Sequence, residues 1–178
     1  MFWRRRKGGD EPPKPAGGNA YDGLRRQILE LTPEAAGIDA REGRTVYAAV
    51  MDWPVAGAVA TVVALADGTA SLYISTGGGV IGGGAHPAVA QAARTFILSL
   101  ENYLPAMVDD PDGALPPAGM TDLRALTTSG RRTVRAPTAD LGEFRHPLAN
   151  AFHAGQNLLG ALRQLAESQP NRPAPPPK

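Results

Sequence analysis

The chain has 178 residues, 43% of them hydrophobic and 20% charged, so it is long and apolar enough to bury a core, and its composition points away from global disorder. It contains no cysteine, which excludes disulfides, thiolate metal sites and cysteine nucleophiles. The net charge of +1 hides an asymmetry. Residues 1–19 carry five basic against two acidic side chains and residues 169–178 carry two basic ones, whereas the 149 residues between hold 11 basic and 15 acidic ones. A domain of mildly acidic balance does not fit a globally basic nucleic-acid binder.

In chain order, residues 1–19 are rich in Pro, Gly, Lys and Arg and lack apolar periodicity, so they are expected to be a disordered tail. "MFWRRRK" sets two aromatic residues beside four cations, a segment that could touch an anionic membrane surface weakly. Tyr21, Leu24, Ile28 and Leu31 recur on one helical face. Thr32-Pro33-Glu34 reads as a fresh N-cap with one extra turn, stopped by Gly37.

Three strands are predicted next: 46–53, then 58–66 after a "PVAG" turn, then 69–75 after Asp67-Gly68, a dipeptide suited to a two-residue hairpin turn. The middle strand, apolar on both faces, should be central and covered on both sides. The pattern over 87–104 is a helix with Val89, Ala93, Phe96, Ile97, Leu100 and Leu104 on one stripe, ended by Pro105. Residues 107–120 form a loop in which "DDPDG" reads as a solvated turn. A second hairpin pairs 123–128 with 132–136. Residues 147–167 form the last helix, followed by a second disordered, proline-rich tail at 169–178. Gly155 falls on this helix's apolar stripe, where close approach to the sheet would offset the cost of a mid-helix glycine, about 1 kcal/mol.

The order α-β-β-β-α-β-β-α predicts a single α+β domain over 20–168, with about five antiparallel strands and helices packed on the sheet in two or three layers. By element count it resembles the small profilin-like and roadblock-type domains, which also carry about five antiparallel strands flanked by helices. No motif of either can be placed residue by residue, so the sequence assigns no family.

Residues 75–87 raise the sharpest functional question. Gly77, Gly78, Gly79 and Gly82, with Gly83 and Gly84, lie between a strand and a helix, and residues 77–82 match G-x-G-x-x-G. A dinucleotide fingerprint is disfavoured because the preceding strands form hairpins and no acidic residue ends a second strand about 20 positions on. A Walker A loop fails because no Lys-Ser/Thr follows the glycines. Three readings remain. The glycines allow positive φ and close backbone approach; or loop amides hold a small anion or phosphorylated ligand; or Val80 and Ile81 dock a partner.

His86-Pro87 and His146-Pro147 each read as a helix start with Pro at the first position, and the two helix ends could favour one anion if they met. Arg124, Arg131, Arg132 and Arg135 crowd the second hairpin, either as guards of edge strands or as a surface for an acidic partner. No spacing singles out a nucleophile–base pair or a metal site, and His146 and His153 stand seven residues apart rather than four.

The expectation is a non-catalytic cytoplasmic module that acts by protein–protein association, as a homodimer, with no cofactor, nucleic acid or transmembrane segment. The alternative is an anion or phosphorylated-ligand binder using residues 77–84 with His86 and His146.

Overall fold

The computed structural model describes residues 20–37 and 45–168, and the two tails expected from sequence fall outside them. Helix α1 (Ala20–Leu29) leads to the strands β1 (Val46–Val55), β2 (Ala58–Leu65), β3 (Ala70–Ile74) and β4 (Gly79–Val80). Helix α2 (Pro87–Glu101) follows, then β5 (Val108–Asp109), β6 (Met120–Thr127) and β7 (Gly130–Pro137). Helices α3 (Thr138–Gly142) and α4 (Ala149–Ser168) end the described chain. The strands make one antiparallel sheet in the order β4-β3-β2-β1-β6-β7-β5.

The class is α+β, with five principal strands and two two-residue additions at the sheet's edges. Strand alternation divides the apolar residues between two faces. Met51, Val62, Leu72 and Leu123 point to one side, where Phe96 and Leu100 of α2 and Leu158 and Leu162 of α4 cover them. Val50, Val63, Tyr73 and Leu126 point to the other side, under Tyr21, Leu24 and Ile28 of α1. A β-bulge at the start of β1 turns Tyr47 and Ala48 to the α1 face together. Strand β2 is buried on both faces, as its near-continuous apolar run predicted, with Thr61 the one polar residue in it.

Gly155 makes the close approach that its place on the stripe implied. A Cβ there would stand 2.9 Å from Sδ of Met51 and 3.4 Å from Cε2 of Phe96, so α4 lies directly on β1.

Several local expectations are corrected. The tight turn with positive φ at both central residues is Ala56-Gly57 (φ +50° and +78°), not a four-residue "PVAG" turn and not Asp67-Gly68. At the latter Gly68 alone goes positive, and the Asp67 carboxylate instead accepts the Thr69 amide at 2.7 Å. Helix α2 stops at Glu101, and a separate 3₁₀ turn, Leu104–Ala106, carries Pro105. Helix α3 is inserted before the last helix, so α4 begins at Ala149 and Pro147 is not its first residue. Phe144, between α3 and α4, holds φ +58° and stacks on His153 with ring centroids 4.3 Å apart.

Candidate functional site

The glycine segment is a reversal followed by a tight descent into α2. Gly77, Gly78, Gly79 and Gly82 all have positive φ. The amide of Gly77 donates to the Ile74 carbonyl at 2.9 Å, and that of Ile74 to the Gly78 carbonyl at 3.1 Å, which closes the β3–β4 turn. Gly79 pairs across from Tyr73, and a Cβ on it would meet the Leu72 carbonyl oxygen at 2.1 Å. Gly83 is buried against Leu162 and Val89, and a Cβ on Gly84 would stand 2.8 Å from Cα of Thr69. The amide of Gly82 reaches the Ser71 hydroxyl at 3.4 Å. Close packing and positive φ thus account for these glycines, and the amides of Gly77 and Gly82 are directed to partners within the chain.

Val80 and Ile81 part company. Val80 packs against the α2/α4 core, whereas Ile81 is 68% exposed and lines the other side of the edge. The two therefore lie on opposite sides of the β4 edge and do not share one docking surface.

Three clefts meet at this end of the sheet. One, of about 430 Å³, runs between α4 and the β1–β4 strands, over Trp53, Leu72, Ile74 and Leu159. The second, about 350 Å³, surrounds the Ala56-Gly57 turn and reaches Ser75 and Pro116. The third, about 230 Å³, lies between α1 and the glycine turn, with Tyr21, Leu24, Tyr73 and Ile81 in its walls. Val55 is shared by the first two, and Ile74 and Gly79 by the first and third. Residues 53–93 contain a single charged side chain, Asp67, in the β2–β3 turn at the opposite end of the sheet. Arg163 is the one charge that lines any of the three.

The opposite edge is built differently. There β5 carries Asp109, which pairs with Arg132 on β7 at 2.9 Å, a charged edge of the kind that resists pairing with other chains. Arg132 is placed beside this edge by its pair with Asp109, whereas Arg124 is not an edge residue. Arg124 stands on β6, inside the sheet, with 1% of its side chain exposed. It donates to Asp110 at 2.9 Å, to Asp122 at 2.7 Å and to Asp52, three carboxylates that are themselves buried.

Around this arginine the α1 face carries a polar network. Arg25 of α1 forks onto Asp52, with bonds of 3.2 and 2.6 Å. The Thr61 hydroxyl donates to Asp52 at 2.6 Å and shares a 2.8 Å bond with the Tyr21 hydroxyl. Burial, followed by the nearby Asp52 charge, pushes the Tyr21 hydroxyl above its usual pKa, against the opposing Thr61 bond. Arg135 grips both oxygens of Asp122 at 2.7 and 2.8 Å, which raises its own pKa. Arg131 binds the Asp110 carbonyl at 2.9 Å and the Leu29 carbonyl at 3.0 Å, tying the 110–115 loop to the C-terminal end of α1. So "DDPDG" is not simply a solvated turn: Asp110 is interior, and Asp109 and Asp112 are exposed.

No buried side-chain polar atom among the described residues lacks a partner, which marks this network as a clamp that fixes α1 and the loop on the sheet. Sequence reasoning missed Asp52 and Asp122. The available signal was an acidic residue inside each of the apolar strands "VYAAVMDW" and "MTDLRALT", the second with Arg124 two positions on, where a partner is obligatory.

No family model, curated protein or solved structure matches the chain.

The two histidines singled out by sequence are not alike. His86 is the N-cap residue of α2, as expected. His146 precedes α4 by three residues, and its Nδ1 accepts the Leu148 amide at 3.1 Å. Neither lines any of the three clefts. Among the described residues no group of three or more His, Asp or Glu side chains is placed to hold a metal ion, and no helix is long and apolar enough to cross a membrane.

Proposed function

We propose that the protein is a non-catalytic, cytoplasmic interaction module that acts by protein–protein association, with a second copy of itself as partner, and that it docks through the charge-free end of its sheet. The observation that carries this reading is the exposure of Ile81 (68%) and Val55 (38%) on a surface without charge, flanked by apolar hollows on both faces of the β4 edge. Apolar surface left in water is unfavourable at roughly 25 cal/mol per Å², and a connected patch of it gains free energy when a partner covers it. The cores of protein interfaces are depleted in charge, as this surface is.

A patch without charge also suits self-pairing. A two-fold interface brings the same surface of both copies together, and here the strands bring no like charges into opposition, with Arg163 of α4 the one charge lining the flanking hollows. The contrast between the two edges of the sheet supports the choice of place: β5 carries the Asp109–Arg132 pair, and β4 carries no charge.

The anion-binding alternative has less behind it, because the Gly77 and Gly82 amides donate within the chain and His86 and His146 do not share a cleft with the glycine turn. The test is sedimentation velocity of the full chain across micromolar concentrations, with Ile81→Asp as the variant. A concentration-dependent dimer that the substitution dissociates supports the reading.

A further inference from the structure

The groove on the α4 side of the β4 edge has the features of a small-molecule site. Its floor is Ala60 and Leu72 of the sheet, both almost wholly buried, with Trp53 and Ile74 beside them and Val80 at the edge. Leu159 and Ala166 of α4 form the opposite wall. The hollow exists because Ala60, Gly79 and Ala166 are small where sheet and helix come together, and Trp53 is held upright by edge-on packing against Phe152, 6.2 Å between ring centroids. A volume of about 430 Å³ falls within the range of roughly 300–1,000 Å³ typical of ligand pockets, which are mostly apolar with a few placed polar groups.

The placed polar group is Arg163. It stands one turn beyond Leu159 and one turn before Ala166, so it rises from the same face of α4 at the rim of the groove. It is exposed, and among the described residues nothing pairs with its guanidinium. By contrast Arg25, Arg124, Arg131, Arg132, Arg135 and Arg145 are all engaged by carboxylates. An apolar trough with one open guanidinium at its rim is complementary to a molecule with an apolar body and one carboxylate, which the planar fork can grip through two oxygens.

We infer that this groove binds a free fatty-acid-type monocarboxylate, its alkyl chain lying over Trp53, Leu72 and Leu159 and its carboxylate on Arg163. The inference goes beyond the association reading and shares ground with it: the groove borders the proposed docking surface through Val55, whereas Ile81 lies on the α1 side of the edge.

The experiment titrates hexanoate, octanoate, decanoate and decanol, each below its aggregation concentration, into the full-length protein. It follows the Trp53 indole and backbone amides by NMR and the affinity by calorimetry. Saturable shifts are expected at Trp53, Gly79, Val80 and Leu159. Each added methylene should tighten binding about fourfold, which corresponds to about 0.8 kcal/mol per buried CH₂. Arg163→Met should weaken decanoate about fivefold, the upper range for an exposed ion pair, and leave decanol unchanged. Ala166→Phe, at an exposed position, should fill the groove and abolish binding of both while the fold persists.

Three results would overturn the inference: no saturable shift, shifts centred on Tyr21 and Tyr73 instead, or decanoate affinity unmoved by Arg163→Met. The same titration on Ile81→Asp separates the two readings. Decanoate binding retained in that variant stands whether or not the wild type associates, and binding lost with it would mean that the acid responds to the interface and not to this groove.

Discussion

Gly79 lies against Leu72 so closely that a Cβ on it would sit 2.1 Å from the Leu72 carbonyl oxygen, with φ at +150°. The contact is backbone on backbone, so no side-chain rotation can relieve it. Gly79→Ala should therefore destabilise the fold by more than about 1 kcal/mol, since the penalties of clash and backbone strain add. At Gly77 and Gly78 a Cβ would meet open space, and only the positive φ resists it. Thermal or urea unfolding of the three alanine variants should rank Gly79 as the most costly. Equal losses at all three positions would mean that conformational strain, and not the Leu72 contact, dictates glycine here.

Arg124 is the second point of high sensitivity. It bonds three buried carboxylates, so Arg124→Met leaves Asp52, Asp110 and Asp122 without their shared counter-charge. Breaking a buried ion pair from one side costs about 3–5 kcal/mol. The pair between Arg132 and Asp109 is the control: it is exposed, and Arg132→Ala should cost under about 1 kcal/mol. Chemical denaturation of both variants checks the contrast. Comparable losses would show that Arg124 is not the centre of the clamp.

Alkaline pH should weaken the fold through two tyrosines. Burial raises the pKa of Tyr21 and of Tyr47 above the ordinary 10.0, and the folded state favours their neutral form. Their stabilising share is complete below the unfolded value and is lost as pH rises through the raised folded values. The denaturation midpoint should fall above about pH 10. The Tyr21→Phe/Tyr47→Phe pair should flatten that fall, although it lowers stability at neutral pH by removing the bonds to Thr61 and to the Leu31 carbonyl. A slope above pH 10 identical to that of the wild type would assign the loss to other groups.

The parts of the fold legible in sequence are those written as long periodic patterns. Strand β2 reads as central because its residues are apolar on both faces, and the stripe from Val89 to Leu100 gives α2 its buried side. Gly155 was legible as a point of close approach because it interrupts an apolar stripe at no evident gain. Strands β4 and β5 were not, since two residues cannot express a period. Helix α3 is five residues long and escapes for the same reason.

At the candidate site, sequence showed the glycines and the contrast of Val80 and Ile81 with their surroundings, but not the division of the two between opposite sides of the edge. Arg124 read as a surface charge because two of its carboxylates are remote, 72 residues away at Asp52 and 14 away at Asp110. Only the folded sheet brings them within bonding distance. The groove under Arg163 is invisible in sequence for a related reason: its walls come from β1, β2, β3, β4 and α4, and its emptiness depends on where Ala60, Gly79 and Ala166 meet.

The central claim, that the charge-free end of the sheet is a self-docking surface, is tested most directly by sedimentation velocity of the wild type and Ile81→Asp across micromolar concentrations. Ile81 is largely exposed, so the substitution should leave the fold intact while placing a charge in the middle of the proposed contact. The account predicts a dimer for the wild type and a shift to monomer in the variant, with unchanged thermal unfolding at high dilution. A wild type that stays monomeric throughout, or a dimer that Ile81→Asp leaves untouched, would contradict it.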